Sequence, residues 1–162
     1  MRIVVLITAF LFATPVAAQE KHVVTDASVR TLLNFKVSDS AVQKLLPVGW
    51  QVDAPTSGLN AGANLRITFI DGVWAHDAQG KPQPATGRNI TIGVPVKMQG
   101  AETRGVMLFG GFTTGAAPGV YSVFAKSNVS SHRMFRTGAD GVATVEEIWD
   151  AKSDAGDTVQ FQ

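Results

Sequence analysis

The chain has 162 residues, with 14 Lys and Arg against 13 Asp and Glu, and no cysteine. That balance holds no Lys/Arg cluster and excludes the electrostatic footprint of a nucleic-acid-binding protein. The lack of Cys excludes disulfides and a lipid-modified Cys, so the fold must rely on its core.

Residues 1–18 read as a secretory signal peptide. Arg2 supplies the positive n-region, Ile3–Phe12 the apolar h-region, and Ala13 to Ala18 a small-residue cleavage end. Cleavage is expected after Ala18, which places the protein in the periplasm or outside the cell. The h-region is too short to span a bilayer, and no later stretch approaches that length, so no integral membrane span is expected. Residues 19–162 then form one domain, large enough for its own core. Without Arg2 the basic side chains equal the acidic ones in number.

Val23–Phe35 is compatible with a strand or with a short helix over Asp26–Leu33, and periodicity does not decide. Ser38–Pro47 reads as a helix. Ser38 or Ser40 caps it, Gln43 stands as in a capping box, and Val42, Leu45 and Leu46 share one face. Pro47 and Gly49 stop it. Trp50–Asp53 is extended and Ala54–Gly62 a loop. Asn64–Ile70 alternates, with Leu65, Ile67 and Phe69 opposite Asn64, Arg66 and Thr68, as in a half-buried antiparallel strand. Asp71-Gly72 is a tight turn or a bulge, and Asp77–Arg88 a polar loop. Asn89–Met98 has the cleanest period of two, with Pro95 marking an edge or bulge.

Val106–Phe112 and Val120–Ala125 read as a central strand pair around a Gly/Ala/Pro/Thr connection, the expected wall of any pocket. Its aromatic residues, Phe109, Phe112, Tyr121 and Phe124, are candidate ligand contacts. His132–Thr137 and Val142–Asp150 form a hairpin around Gly138–Gly141. Thr158–Phe161 begins a last strand, or marks a fragment of a longer protein with an open sheet edge. Seven to nine strands with one short helix give a mainly β fold, an antiparallel barrel or sandwich.

Chemistry-bearing residues are sparse. His22, His76 and His132 lie far apart without metal-ligand spacing, so neither a metal nor another cofactor is expected. No G-x-S-x-G elbow occurs, and the glycines after Phe109 lack the order of a phosphate loop. Trp50, Trp74 and Trp149 read as core. Glu146 and Glu147 point to opposite faces of a strand. The inward one is either a general acid or base with a raised pKa, or an ion-pair partner of Arg133 or Arg136. Lys126 is a candidate amine nucleophile. Arg66 and Arg104 are candidates to hold a ligand carboxylate in bidentate fashion.

Asp39–Asp53, DSAVQKLLPVGWQVD, resembles the helix-then-strand near the start of acetoacetate decarboxylase-like proteins. The order that follows, Asn64–Ile70, a polar loop and long strands, is also similar, so the resemblance covers residues 35–125. It implies a conical β-barrel around a small, mostly apolar pocket, and decarboxylation of β-keto acids through a lysine Schiff base. The family's catalytic segment resembles Tyr-Pro-Lys-Lys. The nearest segment here is Tyr121–Ser127, without the Pro, with a longer Tyr-to-Lys spacing and with Ser127 in place of a second Lys. The resemblance carries the nucleophile to Lys126, with Glu146 or Glu147 as acid/base.

Three functions follow as expectations. The first is a secreted protein binding a small, partly apolar (keto)acid. The second is a Schiff-base decarboxylase or lyase acting through Lys126. The third is an interaction protein, a homo-oligomer paired through its C-terminal edge strand.

Overall fold

Among the described residues, alternation of apolar and polar side chains resolves into nine strands and one short helix. The structure is a computed structural model and describes residues 21–84, 87–119 and 121–162; the signal-peptide assignment to 1–18 lies outside them. In chain order the elements are β1 (Val24–Phe35), α1 (Asp39–Gln43), β2 (Trp50–Val52), β3 (Leu65–Asp77), β4 (Pro82–Gln83), β5 (Arg88–Met98), β6 (Arg104–Thr113), β7 (Ala125–Thr137), β8 (Ala143–Ser153) and β9 (Thr158–Phe161). One sheet runs β1-β3-β5-β6-β7-β8-β9, with β2 paired to β5 and β4 to β3. All pairings are antiparallel except β6 with β7, which meet in parallel only at Phe112↔Ala125 and Thr113↔Lys126. No described helix is long and apolar enough to cross a membrane.

Of Val23–Phe35, Val24–Phe35 resolves as strand. Its residues from Val24 pair with β3 along the whole element, and the tertiary ladder decides what periodicity left open. Asp71-Gly72 lies at a bulge: Ala27 faces Trp74 and Ser28 faces Gly72, leaving Val73 as the extra residue. Pro95 sits where the partner of β5 changes. β3 pairs as far as Gly93 and β2 starts at Val96, so no ladder N–H is missed on that side.

Other expectations are corrected. The helix is only Asp39–Gln43, and neither Ser38 nor Ser40 caps it with a side-chain hydrogen bond. Gln43 instead donates to the Trp50 carbonyl and accepts from the Val52 N–H, holding β2. Val42 is buried but Leu45 is exposed, because the helical turn ends before Leu45 can share its face. The buried anchor is Asn64. Its side chain accepts from the Val37 N–H and donates to the Val37 carbonyl and Asp39, fixing the start of α1. Of the expected strand Val120–Ala125, Val120 lies outside the described residues and Tyr121–Phe124 are not strand: Tyr121 and Ser122 belong to a turn, and β7 starts only at Ala125. Trp74 is exposed rather than core, and its ring lies tilted against that of His76, 5.0 Å between centroids.

The sheet rolls over itself. Phe69 on β3 lies 5.3 Å from Trp149 on β8 and 4.9 Å from Phe161 on β9, although β5, β6 and β7 stand between them in the sheet. Phe69, Ile90, Phe112, Val129, Trp149 and Ala151 fill the space between the two layers. Further along the same face of β5, Val94 and Val96 pack with Val42, beneath α1 and β2. One face of β3, β5 and β6 is thus covered along its length, and the other is left to build a site.

Candidate ligand groove

The uncovered face takes the residues that alternate with the core. Antiparallel pairing puts directly opposed residues on the same side. Ile70 therefore stands between Arg30 on β1 and Asn89 on β5; Thr68 stands between Leu32 and Thr91; Arg66 stands between Asn34 and Gly93. Val106 and Leu108 of β6 form the far wall. Together they line a groove of about 720 Å³, within the usual range for small-molecule sites. Gly93 keeps the floor low. A Cβ there would come within 2.7 Å of Val106 Cγ1 and 2.9 Å of Leu108 Cδ2.

The connection from β6 to β7 closes one end through Ala116, Gly119, Tyr121 and Phe124. It is pinned at its start, where Thr113 Oγ1 donates to Asn89 Oδ1 at 2.6 Å and accepts from the Gly115 N–H at 3.0 Å. The Ala117-Pro118 peptide is cis, and Ser122 has φ 56°. The Phe124 N–H donates to the Pro118 carbonyl. The Phe124 ring lies over Gly111 and against Gly119, where a Cβ would come within 2.7 Å and 2.8 Å of ring atoms. Glycine is needed at both places for close approach, and at Gly119 also for its φ of 73°.

Arg66 crosses the floor. Its Nε donates to Asn34 Oδ1 at 3.0 Å, which leaves its terminal nitrogens for another acceptor. Among the described residues neither Arg66 nor Arg30 pairs with a carboxylate, and no acidic residue lines the groove. The groove therefore combines cationic heads with an apolar and hydroxyl lining.

The remaining candidate residues lie elsewhere. Arg104 pairs with Asp53 at 3.4 Å near the end of β5. Phe112 is in the core, and Phe109, the extra residue of a bulge in β6, packs beside Val94 and Val96. Lys126 is exposed rather than set in an apolar surround, and its Nζ donates to the Thr114 and Gly115 carbonyls at 2.8 and 3.0 Å. It is a latch on the connection. Glu146 points to solvent and meets Arg136 at 3.5 Å. Glu147 faces inward beside Trp149, paired with Arg133, and also accepts from Thr31 Oγ1 at 2.5 Å and Trp149 Nε1 at 2.6 Å. Burial, the largest single effect, pushes the Glu147 carboxyl up. The hydrogen bonds from Thr31, Trp149 and Arg133, with the Arg133 charge, outweigh it, and the net shift is downward. This corrects the expected rise of an inward carboxylate and fits the ion-pair reading. Arg133 faces Glu147 across the hairpin, while Lys126 stands seven positions back along β7, ~23 Å at the rise of a strand. The geometry does not bring Lys126 and Glu147 together.

Asn34, Thr68 and Thr91 escaped the sequence reading as groove residues. Their signal was alternation itself: each lies on the polar side of an amphipathic strand. Among the described residues no three His, Asp or Glu side chains converge as metal ligands. No family model, curated protein or solved structure matches the chain.

Proposed function

We propose that this is a secreted or periplasmic protein that binds a small, partly apolar carboxylate, of the keto-acid type, in the open groove on the outer face of β1, β3, β5 and β6. The observation that carries the reading is Arg66, a guanidinium with no carboxylate partner among the described residues, on a floor without acidic neighbours. The ligand carboxylate meets the terminal nitrogens of Arg66 in bidentate fashion. Its apolar body lies toward Leu32, Ile70 and Leu108, with Tyr121 and Phe124 at the end wall. Thr68 and Thr91 offer hydroxyls to a keto or hydroxyl oxygen.

The groove binds without needing a nucleophile. Lys126 takes no part in lining it, and its exposed, carbonyl-bound position gives the Schiff-base alternative no support. The test is calorimetric titration of the purified protein with straight-chain and aromatic monocarboxylates and their 2- and 3-keto analogues. Saturable binding is expected, and Arg66→Met should weaken it 10- to 100-fold, the worth of a hydrogen bond to a charged group. Binding unchanged in Arg66→Met, or no binding across the panel, would overturn the proposal.

A further inference from the structure

We infer that β1 is a self-pairing edge, through which two copies of the chain join their sheets antiparallel about a two-fold axis at Ser28. Among the described residues β1 pairs only with β3, so its outer edge presents unpaired backbone groups over a 12-residue element. Its sequence is complementary to its own reverse. Centring the pair on Ser28 sets Asp26 against Arg30 of the second copy, and Arg30 against that copy's Asp26. The same register opposes Ala27 with Val29, Thr25 with Thr31, and Val24 with Leu32. Opposite charges and matched β-branched or apolar pairs stabilise a ladder, whereas like charges directly opposed destabilise it. Asp26 and Arg30 are both exposed, and among the described residues neither makes an ion pair.

A second feature fits the same register. Glu147 on β8 reaches Thr31 on the edge strand β1. Two positions further toward the hairpin tip, on the same face, Phe135 and Val145 are opposed to each other and are 71% and 53% exposed. The hairpin therefore overhangs the edge of β1 with apolar side chains and, among the described residues, nothing of its own chain beneath them. In the pairing about Ser28, Thr25 of the second copy lies beside Thr31, and that copy's Val23, itself 66% exposed, lies one inward-facing position beyond. Phe135 and Val145 would roof these residues. The two-fold places the second overhang six positions away, ~20 Å along the strand, so the two hairpins do not collide. Isologous closure of this kind uses up both edges and stops at two copies. Pairing engages Arg30 with Asp26 and leaves Arg66 as the cation of the groove.

The test is sedimentation across a wide concentration range. A dimer is expected for the unaltered protein, weakened about tenfold or more by Asp26→Arg or by Arg30→Asp, because each change sets two like-charge pairs in the ladder. The double reversal, Asp26→Arg with Arg30→Asp, should restore the dimer, and far-ultraviolet circular dichroism of the single variants checks that they fold. A monomer at all concentrations would overturn the inference. So would a dimer indifferent to both single reversals. Loss of such a dimer in Val159→Pro would assign pairing to β9 instead.

Discussion

Arg133→Met should remove the cation from beside Glu147 while keeping most of the volume. The two side chains are 13% and 11% exposed, so water does little to replace the pair. Breaking a buried ion pair from one side costs about 3–5 kcal/mol. The Glu147 carboxylate keeps its bonds from Thr31 and Trp149, which places the expected loss at the low end, about 3 kcal/mol, or roughly 9 °C in Tm for a domain of this size. Adding Glu147→Gln should recover about 2 kcal/mol. The neutral amide accepts from Trp149 through its oxygen, donates to the Thr31 hydroxyl oxygen through its NH2, and leaves no buried charge without a partner. The pH dependence gives a separate check. The folded Glu147 pKa lies below its ordinary value, so its contribution is fully present above the ordinary glutamate range and is lost as pH falls through the folded value. Without Arg133 two of the effects that lower it are gone, and the folded pKa moves up. The stability gap between the unaltered protein and Arg133→Met should therefore shrink on acidification. Urea unfolding at several pH values measures all three quantities. A gap that stays constant with pH, or a double variant no more stable than Arg133→Met, would refute this account of the pair.

Gly111→Ala should cost about 2–3 kcal/mol, because the added methyl meets the Ile90 carbonyl and the Phe124 ring. Displacement of Phe124 should also open the connection to limited proteolysis between Thr114 and Phe124. Asn64→Ala should cost about 2–3 kcal/mol by unfolding titration, since it orphans the Val37 amide and carbonyl at the start of α1. Hydrogen exchange at Val37 should accelerate in that variant.

The strands that carry the site were readable because one of their faces is buried. Leu65, Ile67 and Phe69 on β3, with Ile90, Ile92, Val94 and Val96 on β5, spell the alternation directly. That alternation also placed Arg66 and Thr68 on the opposite side. The ion pairs of the last hairpin were readable too, because the turn at Gly138–Gly141 sets the register that opposes Arg133 with Glu147. What failed depended on contacts distant in sequence. Tyr121 to Phe124 have the composition of a strand, but the ring of Phe124 is seated on Gly111, and no local pattern records that. Phe109 and Phe112 seemed to belong with the groove aromatics, yet the bulge in β6 and its packing send them to the core side. Thr31 meets Glu147 across 116 residues, so neither sequence position announces the bond. The expected capping box is absent because the Gln43 side chain serves β2.

The central claim is that the ligand sits on the outer face of the sheet, not between its layers and not on Lys126. Backbone amide chemical shifts, followed during titration with the tightest carboxylate of the panel, test it most directly. The account predicts shifts concentrated at Thr68, Thr91, Leu108 and Tyr121, with the titration midpoint moved about 10- to 100-fold higher in Arg66→Met. Shifts centred on Val129 and Trp149 in the packed interior, or a borohydride-trapped adduct on Lys126, would contradict it.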